Sequence, residues 1–397
     1  MVNQMSNRER MIATFKHKET DYIPLQIEIH PSYVVHKDVA LWKDQFERAD
    51  FLLSLGVDTA IEIWLPDPLL HSDVSVKEWK DTSISEHYPL LYKEYDTPAG
   101  KIRQVIRETK DLYQWHKINR NTVGNIADYI DGVGLLEDVN PSRYVEYPIN
   151  GPEDLEKMRY LFQPITGEAY KKWKENALYA KKQAEEKQVI LIARRLYCGS
   201  AILWLTNTTE TCIKMIEDPE YVESFLKIIQ DWQMKNLEMV LDIGVDVVTR
   251  FGYYDIPDFW GAKYFERFLA PLMDKEAEMC HQTGAWLSQQ QSEGLTQLVD
   301  IYKNMKVDIL RDVDPIQGHE DLAFLKKELG DKKTFWGGIN LLELEGKKKP
   351  DVDGMVKKSI EDLGPGGGFV LYPIPGVYAE AKWEYVEQMI ESWIKYR

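Results

Sequence analysis

The sequence predicts an α/β protein, a (β/α)8 TIM barrel carrying an inserted subdomain after its second strand. Three observations lead there. Eight short runs rich in β-branched and aromatic residues follow one another, amphipathic stretches separate nearly all of them, and several runs open in a similar way. Those openings are Gly56-Val57-Asp58, Gly244-Val245-Asp246 and Val307-Asp308, each behind a helical segment, as a repeated βα unit requires. Alternating strand and helix implies a parallel sheet, and eight units imply closure; an open doubly wound sheet is the alternative.

The strands are expected at 23–29, 58–64, 189–196, 245–251, 285–290, 307–313, 334–339 and 369–374. Helix ends are marked more sharply. Asp218-Pro219 offers a capping side chain ahead of a proline at the first helical position, before a helix running from Tyr221 to Val240. Gly244 then stands where a left-handed residue ends a helix. Asp351 opens a helix to Leu363, and the run Gly364-Pro365-Gly366-Gly367-Gly368 breaks it before the last strand. Ala379 to Tyr396 reads as a closing amphipathic helix. Residues 65–166 do not fit the repeat. They are rich in Tyr, Trp, Asp and turn residues, and Ser75 to Ile106 has the pattern of β-hairpins turning at Asp96-Thr97-Pro98-Ala99-Gly100. An insertion after the second strand lies on the face where barrel active sites form, as a cap, a docking site or decoration.

A chain of 397 residues with 44% hydrophobic content suffices for a sizeable core, and residues 1–397 are read as one barrel. No apolar run approaches the roughly 18 residues of a membrane span, and Met1 to Arg10 lacks the apolar stretch of a secretory signal. Three widely spaced cysteines (Cys198, Cys212 and Cys280) fit a reducing cytoplasm. The net charge of −16 argues against nucleic acid or an anionic membrane as partner, because both reward clustered Lys and Arg. A homodimer is compatible with these features.

In a parallel barrel the chemistry gathers where strands end. The positions there are Glu28 and His30; Trp64 and Asp67; Tyr197 and Cys198; Arg250, Tyr253, Tyr254 and Asp255; Gln289, Gln291 and Glu293; Asp312 and Asp314; Asn340; and Tyr372. The set is rich in carboxylates and aromatics and poor in positive charge. A GxSxG elbow, a phosphate-binding loop and an HExxH zinc motif are all missing.

The opening Asn7-Arg8-Glu9-Arg10-Met11 through Asp21-Tyr22-Ile23-Pro24 resembles the first helix and strand of uroporphyrinogen-decarboxylase-like proteins. So do Val313-Asp314-Pro315, Asp321-Leu322, Leu325-Lys326, and Gly330-Asp331 through Phe335-Trp336-Gly337-Gly338-Ile339 with Leu363 to Phe369. The resemblance covers nearly the whole chain outside the insertion. True decarboxylases of that family carry an arginine-rich segment after the first strand. Glu28-Ile29-His30-Pro31-Ser32-Tyr33 has no arginine there, and a polycarboxylate needs cationic partners. The resemblance therefore implies the methyltransferase branch.

Methyltransferases of this kind hold zinc through His-x-Cys-Gly after the fifth strand and a cysteine near the last. Here those positions read Gln291-Ser292-Glu293-Gly294 and Leu371-Tyr372-Pro373-Ile374, so the usual thiolates are absent. Oxygen and nitrogen ligands leave zinc a stronger Lewis acid, suited to polarising an ether oxygen. Glu293, Asp314 and Gln291 are the expected ligands, with Glu28 or His30 as further candidates; ordinary polar residues without a metal are the alternative. Glu293, Asp314, Glu28 and His30 are the expected catalytic set. Arg250 either holds a substrate carboxylate or pairs with Asp255 or Asp312. Tyr253, Tyr254, Tyr372, Trp64 and Trp286 line a pocket for a flat aromatic molecule or pack as core, and Asn340 completes the substrate contacts. His281 is expected to cap its helix, and Cys198 and Cys280 to be buried small hydrophobes.

The function implied is demethylation of a small methoxylated compound, expected to be aromatic. The methyl group would pass to the cob(I)alamin of a separate corrinoid protein, since the sequence holds no AspxHisxxGly-type cobalt ligand segment. Methylation of a thiol of the coenzyme M type, a lyase acting on another small acid, and a non-catalytic binding barrel are the alternatives. An arginine-lined pocket is the feature that favours the lyase.

Overall fold

The computed structural model describes residues 4–29, 42–83, 87–109, 141–197, 199–341, 350–377 and 381–397. Seven parallel strands form the main sheet: β1 (Ala60–Trp64), β6 (Ile190–Leu196), β7 (Val247–Phe251), β8 (Trp286–Gln290), β9 (Ile309–Val313), β10 (Thr334–Asn340) and β11 (Phe369–Ile374). Their spatial order follows their chain order, β1-β6-β7-β8-β9-β10-β11, so each helix returns the chain to the adjacent position and the sheet curls into a half-barrel. Residues 25–29 make single parallel bridges on both sides, Gln26 to Asp58 and Leu25 to Leu371. The Gln26 amide donates to the Leu371 carbonyl at 3.0 Å and the Asp58 amide to the Leu25 carbonyl at 2.7 Å. The first expected strand is thus reduced to bridges that join the sheet's two edges. The other seven begin within about two residues of their expected starts.

Both faces of the sheet are covered, as β9, β10 and β11, buried along their whole lengths, illustrate. One apolar core lies between strands and helices. A second lies inside the curl, where alternate residues Ile190, Ile192, Val247, Ile309, Trp336, Val370 and Tyr372 meet Met11 and Phe15 of the helix Asn7–Phe15. Phe15 packs 5.3 Å from Trp286 and 5.7 Å from Trp336. This plug seals the N-terminal end of the lumen and leaves only the C-terminal end for chemistry.

Helix punctuation follows the sequence. Asp218 accepts from the Tyr221 amide at the start of Pro219–Ile243, and Gly244 ends that helix at φ 84°. Asp351 caps Val352–Leu363. His281 departs from expectation: Gly284 ends its helix at φ 81°, while the His281 ring sits 2.9 Å from Asp308. A carboxylate across the groove outcompetes the water-exposed helix end.

Between β1 and β6 the chain builds a separate antiparallel sheet of β2 (Ser75–Asp81), β3 (Leu90–Thr97), β4 (Gly100–Arg107) and β5 (Tyr144–Glu146). The β3–β4 turn falls at the expected Thr97-Pro98-Ala99-Gly100, with the Thr97 hydroxyl donating to the Gly100 carbonyl at 2.6 Å. Leu69 and Gln163 exchange backbone hydrogen bonds of 2.8 and 2.9 Å, tying the two ends of this excursion together.

Candidate active site

Strand alternation turns every second residue inward. Near the C-terminal end of the lumen those residues change from apolar to polar. Arg194, Thr249 and Ser288 are register neighbours on β6, β7 and β8, and Gln290, Arg311 and Trp336 on β8, β9 and β10. Glu28 is the hub. Its Oε1 accepts from Arg194 Nη1 at 2.7 Å and its Oε2 from Arg311 Nη2 at 2.7 Å and the Tyr372 hydroxyl at 3.0 Å. Arg194 also donates to Glu62 Oε1 at 2.9 Å. Arg311 is wholly buried and lies 4.5 Å from the ring centre of Trp336 and 4.9 Å from that of Tyr372. Burial raises the Tyr372 phenol far above its ordinary range, and the Glu28 charge adds to this, so the hydroxyl stays protonated and donates. Removing such charges from water costs several kcal/mol each unless they are paired.

Two β-bulges shape the rim. The β6–β7 register skips Arg195 and the β9–β10 register skips Asp312, and both residues have left-handed φ, 83° and 64°. A non-glycine residue there costs on the order of 1–3 kcal/mol. In exchange a bulge re-aims its side chain. Asp312 Oδ2 accepts from the Tyr253 hydroxyl at 2.7 Å and from Gln290 Nε2 at 2.8 Å. Its Oδ1 is buried and accepts no hydrogen bond from the described residues, with Arg311 Nε 3.7 Å away. Burial raises the Asp312 carboxyl above its usual range, although Arg311, Tyr253 and Gln290 partly offset this. Arg195 Nε donates to the Tyr197 hydroxyl at 2.7 Å and Nη1 to Asp67 at 2.9 Å. Its guanidinium stands 5.5 Å from the Trp64 ring centre.

Of the residues chosen from sequence, Glu28, Trp64, Tyr253 and Tyr372 converge on this lumen. Arg250 does not face it. The side chain points to the helix layer, fully buried, where Nε meets Glu276 at 2.6 Å and Nη1 meets Gln289 at 2.7 Å and Asp255 at 3.3 Å; the Asp255 pairing is the alternative set out above. Tyr254 packs against Trp204 and Phe259, and its carbonyl accepts from Trp260 Nε1. Trp286 joins the plug beside Phe15. His30 and Cys198 lie outside the described residues. Cys280 is fully buried, as expected of a small hydrophobe.

The expected zinc ligands sit on adjacent loops but do not form a donor set. Gln291 Oε1 accepts from the Tyr302 hydroxyl at 2.6 Å, and its Nε2 donates to the Glu293 carbonyl at 2.8 Å. Asp314 Oδ1 accepts from the Ile316 and Gln317 amides, and Oδ2 from Asn340 Nδ2 at 2.6 Å. Asp314 thus braces a turn, and Asn340 braces Asp314. Glu293 is half-buried, and no described residue pairs with its carboxylate. Among the described residues no three His, Cys, Asp or Glu side chains are grouped to hold a metal ion. These residues therefore do not fit zinc as placed.

The strand-end positions read as poor in positive charge; the lumen is not. Arg194 and Arg311 each sit before the final residues of their strands, short of the strand ends where barrel chemistry is expected. The signal was present in the text of Ile190-Leu191-Ile192-Ala193-Arg194-Arg195-Leu196 and Ile309-Leu310-Arg311-Asp312-Val313. Charges inside buried parallel strands are rarely tolerated without a partner.

A curled parallel sheet clothed in helices, with buried acids and arginines at the C-terminal end of its lumen, defines a protein of the barrel-like α/β class, whose chemistry gathers at that end. The family model described as Uroporphyrinogen decarboxylase (URO-D) matches residues 143–396, and the chain belongs to that family. No curated protein matches it in sequence. Among solved structures, a methyltransferase from Methanosarcina mazei aligns over 98% of this chain and 99% of its own with a TM-score of 0.60 at 14% identity, a shared fold. A D-psicose 3-epimerase from Clostridium cellulolyticum H10 aligns over 56% of this chain and 82% of its own (TM-score 0.36, 10% identity). No described helix is long and apolar enough to cross a membrane.

Proposed function

We propose that this protein is a corrinoid-dependent methyltransferase that demethylates a small methoxylated aromatic compound. The observation that carries the reading is Asp312, a buried carboxyl with Oδ2 occupied by two donors and Oδ1 without a hydrogen-bond partner among the described residues. Its neutral form places the proton on Oδ1, which has no hydrogen-bond partner among the described residues and whose charged neighbour is Arg311 Nε at 3.7 Å. We read the seven strands with residues 25–29 as a complete (β/α)8 barrel, and the antiparallel sheet as a cap where the partner docks.

Cob(I)alamin, arriving on a separate corrinoid protein as a co-substrate, supplies the two-electron nucleophile that accepts the methyl group. The chain's own residues then do the rest. As the carbon–oxygen bond breaks, its electron pair moves to the oxygen, and Asp312 Oδ1 delivers a proton there, so that a neutral phenol leaves rather than a phenolate. Tyr253 and Gln290 hold the resulting carboxylate through their two hydrogen bonds to Oδ2. Trp64 and Tyr372 supply aromatic faces for the ring. No step is assigned to zinc.

The test is to mix the purified protein with a methoxyaromatic compound and a cob(I)alamin carrier and follow methylation of cobalt by its absorbance. Absence of transfer across a panel of methoxyaromatics refutes the reading. A lyase acting on a small acid is the second reading, favoured by Arg194 and Arg311 in the lumen. Release of carbon dioxide from small acids, without methyl transfer, would establish it instead.

A further inference from the structure

Arg311 has hydrogen-bonding capacity that no described part of the protein uses. Nη2 holds Glu28, but Nε and Nη1 are buried without an acceptor, and so is Nε1 of Trp336 beneath the guanidinium. Leaving a charged donor buried and unpaired costs more than leaving a neutral one, and native interiors contain few such atoms. Glu28 does not offset this alone, because Arg48 and Arg194 act on the same carboxylate.

We propose that Arg311 anchors an anionic group of the substrate, and that the substrate is a small carboxylic acid. Its carboxylate lies on the guanidinium beside the oxygen that receives the Asp312 proton. Arg311 Nε and Asp312 Oδ1 are 3.7 Å apart, so the two oxygen functions of the ligand occupy neighbouring carbons, as in a 2-methoxybenzoate. A 4-methoxybenzoate, with the groups at opposite ends of the ring, cannot place both. The identity of the second oxygen rests on the methyl-transfer reading; the carboxylate anchor rests on the lumen alone.

The experiment is titration calorimetry of the intact protein with 2-methoxybenzoate, 4-methoxybenzoate, uncharged methoxybenzene and inorganic phosphate. Arg311→Met and Arg311→Lys are titrated alongside, with thermal melts to establish that each is folded. The 2-methoxy acid should bind roughly ten- to a hundredfold tighter than methoxybenzene, the range of a hydrogen bond to a charged group. Arg311→Met should abolish that preference and Arg311→Lys should keep part of it. Equal affinity for acid and ether, or a preference unchanged in the variants, overturns the anchor. If the methionine variant does not fold, an unchanged preference in the lysine variant does so. Tighter binding of the 4-methoxy acid overturns the adjacency, and tighter binding of phosphate overturns the carboxylate class. Bound 2-methoxybenzoate that is never demethylated refutes the methyl-transfer reading and leaves the anchor standing.

Discussion

Replacing Asp312 with asparagine isolates the proton that the proposed mechanism needs. Asparagine is the same size, and its carbonyl oxygen can take the place of Oδ2, accepting from the Tyr253 hydroxyl and Gln290 Nε2 as the aspartate does at 2.7 and 2.8 Å. What changes is Oδ1, which becomes an amide nitrogen that donates hydrogen bonds but is far too weak an acid to transfer a proton. A positioned general acid contributes on the order of 10²–10⁴ in rate, or about 3–5 kcal/mol of transition-state stabilisation. The variant should therefore lose that factor in kcat while KM moves little. The pH profile follows from the raised carboxyl. The wild-type rate is highest while Asp312 is protonated and falls as pH rises through its elevated folded pKa; the asparagine profile lacks that limb. Loss of stability cannot mimic this. A carboxyl raised on folding contributes stability below its unfolded pKa and loses it as pH rises through the folded one. At alkaline pH the neutral amide should therefore leave the protein at least as stable as wild type. The assay is cobalt methylation followed by absorbance across pH, with denaturant melts alongside. A kcat within about threefold of wild type, under 1 kcal/mol, with the alkaline limb retained, would refute the role.

Four further outcomes follow from the same geometry. Burial raises the Glu276 carboxyl to about 7 despite Arg250, so its contribution is complete below its ordinary value and is lost as pH rises through 7. Glu276→Gln should flatten the decline of melting temperature over that window, and parallel wild-type and variant curves would contradict the shift. Gly294→Ala forces a φ of 78° on a residue whose Cβ would meet Pro257 Cδ at 2.3 Å; a loss of roughly 1–3 kcal/mol in chemical denaturation is expected, and a neutral effect would mean that the loop carrying Glu293 is not held as described. Phe15→Ala opens the lumen floor and should cost about 3–5 kcal/mol, measured in the same way, with a cost under 1 kcal/mol arguing against the plug. Because Gln291 and Asp314 are already committed to other partners, metal analysis of chelator-free protein should give well under one zinc per chain, equal in wild type and Glu293→Ala. A stoichiometric zinc lost in that variant would restore the Lewis-acid mechanism.

The fold was legible because its signals are local and repeated. Asp218 before Pro219, Gly244 after Ile243 and the Gly364 to Gly368 break each act within one turn of chain, and eight similar units leave few architectures. The first strand came out only as bridges because Pro24, without an amide proton, and a short run at the seam supply few ladder bonds. The site was legible in part, for a reason of geometry. Sequence distance locates the end of a strand, but parity decides which side of the sheet a residue faces, and a bulge reverses parity. Thr249 faces the lumen, so Arg250 faces the helices and Glu276. Without its bulge Asp312, next after the lumen-facing Arg311, would face the helices; with φ at 64° it turns back to Gln290. One residue of backbone strain thereby sets an acid and a guanidinium from consecutive positions into the same lumen. No periodic pattern encodes this, and only the adjacent charges in an apolar strand hint at it. If that strain serves the site rather than the fold, Asp312→Gly, which removes the penalty of the left-handed backbone, should stabilise the protein while abolishing proton delivery. A glycine variant that is destabilised would instead make the bulge a structural necessity, held by the Tyr253 and Gln290 bonds more strongly than the backbone resists them.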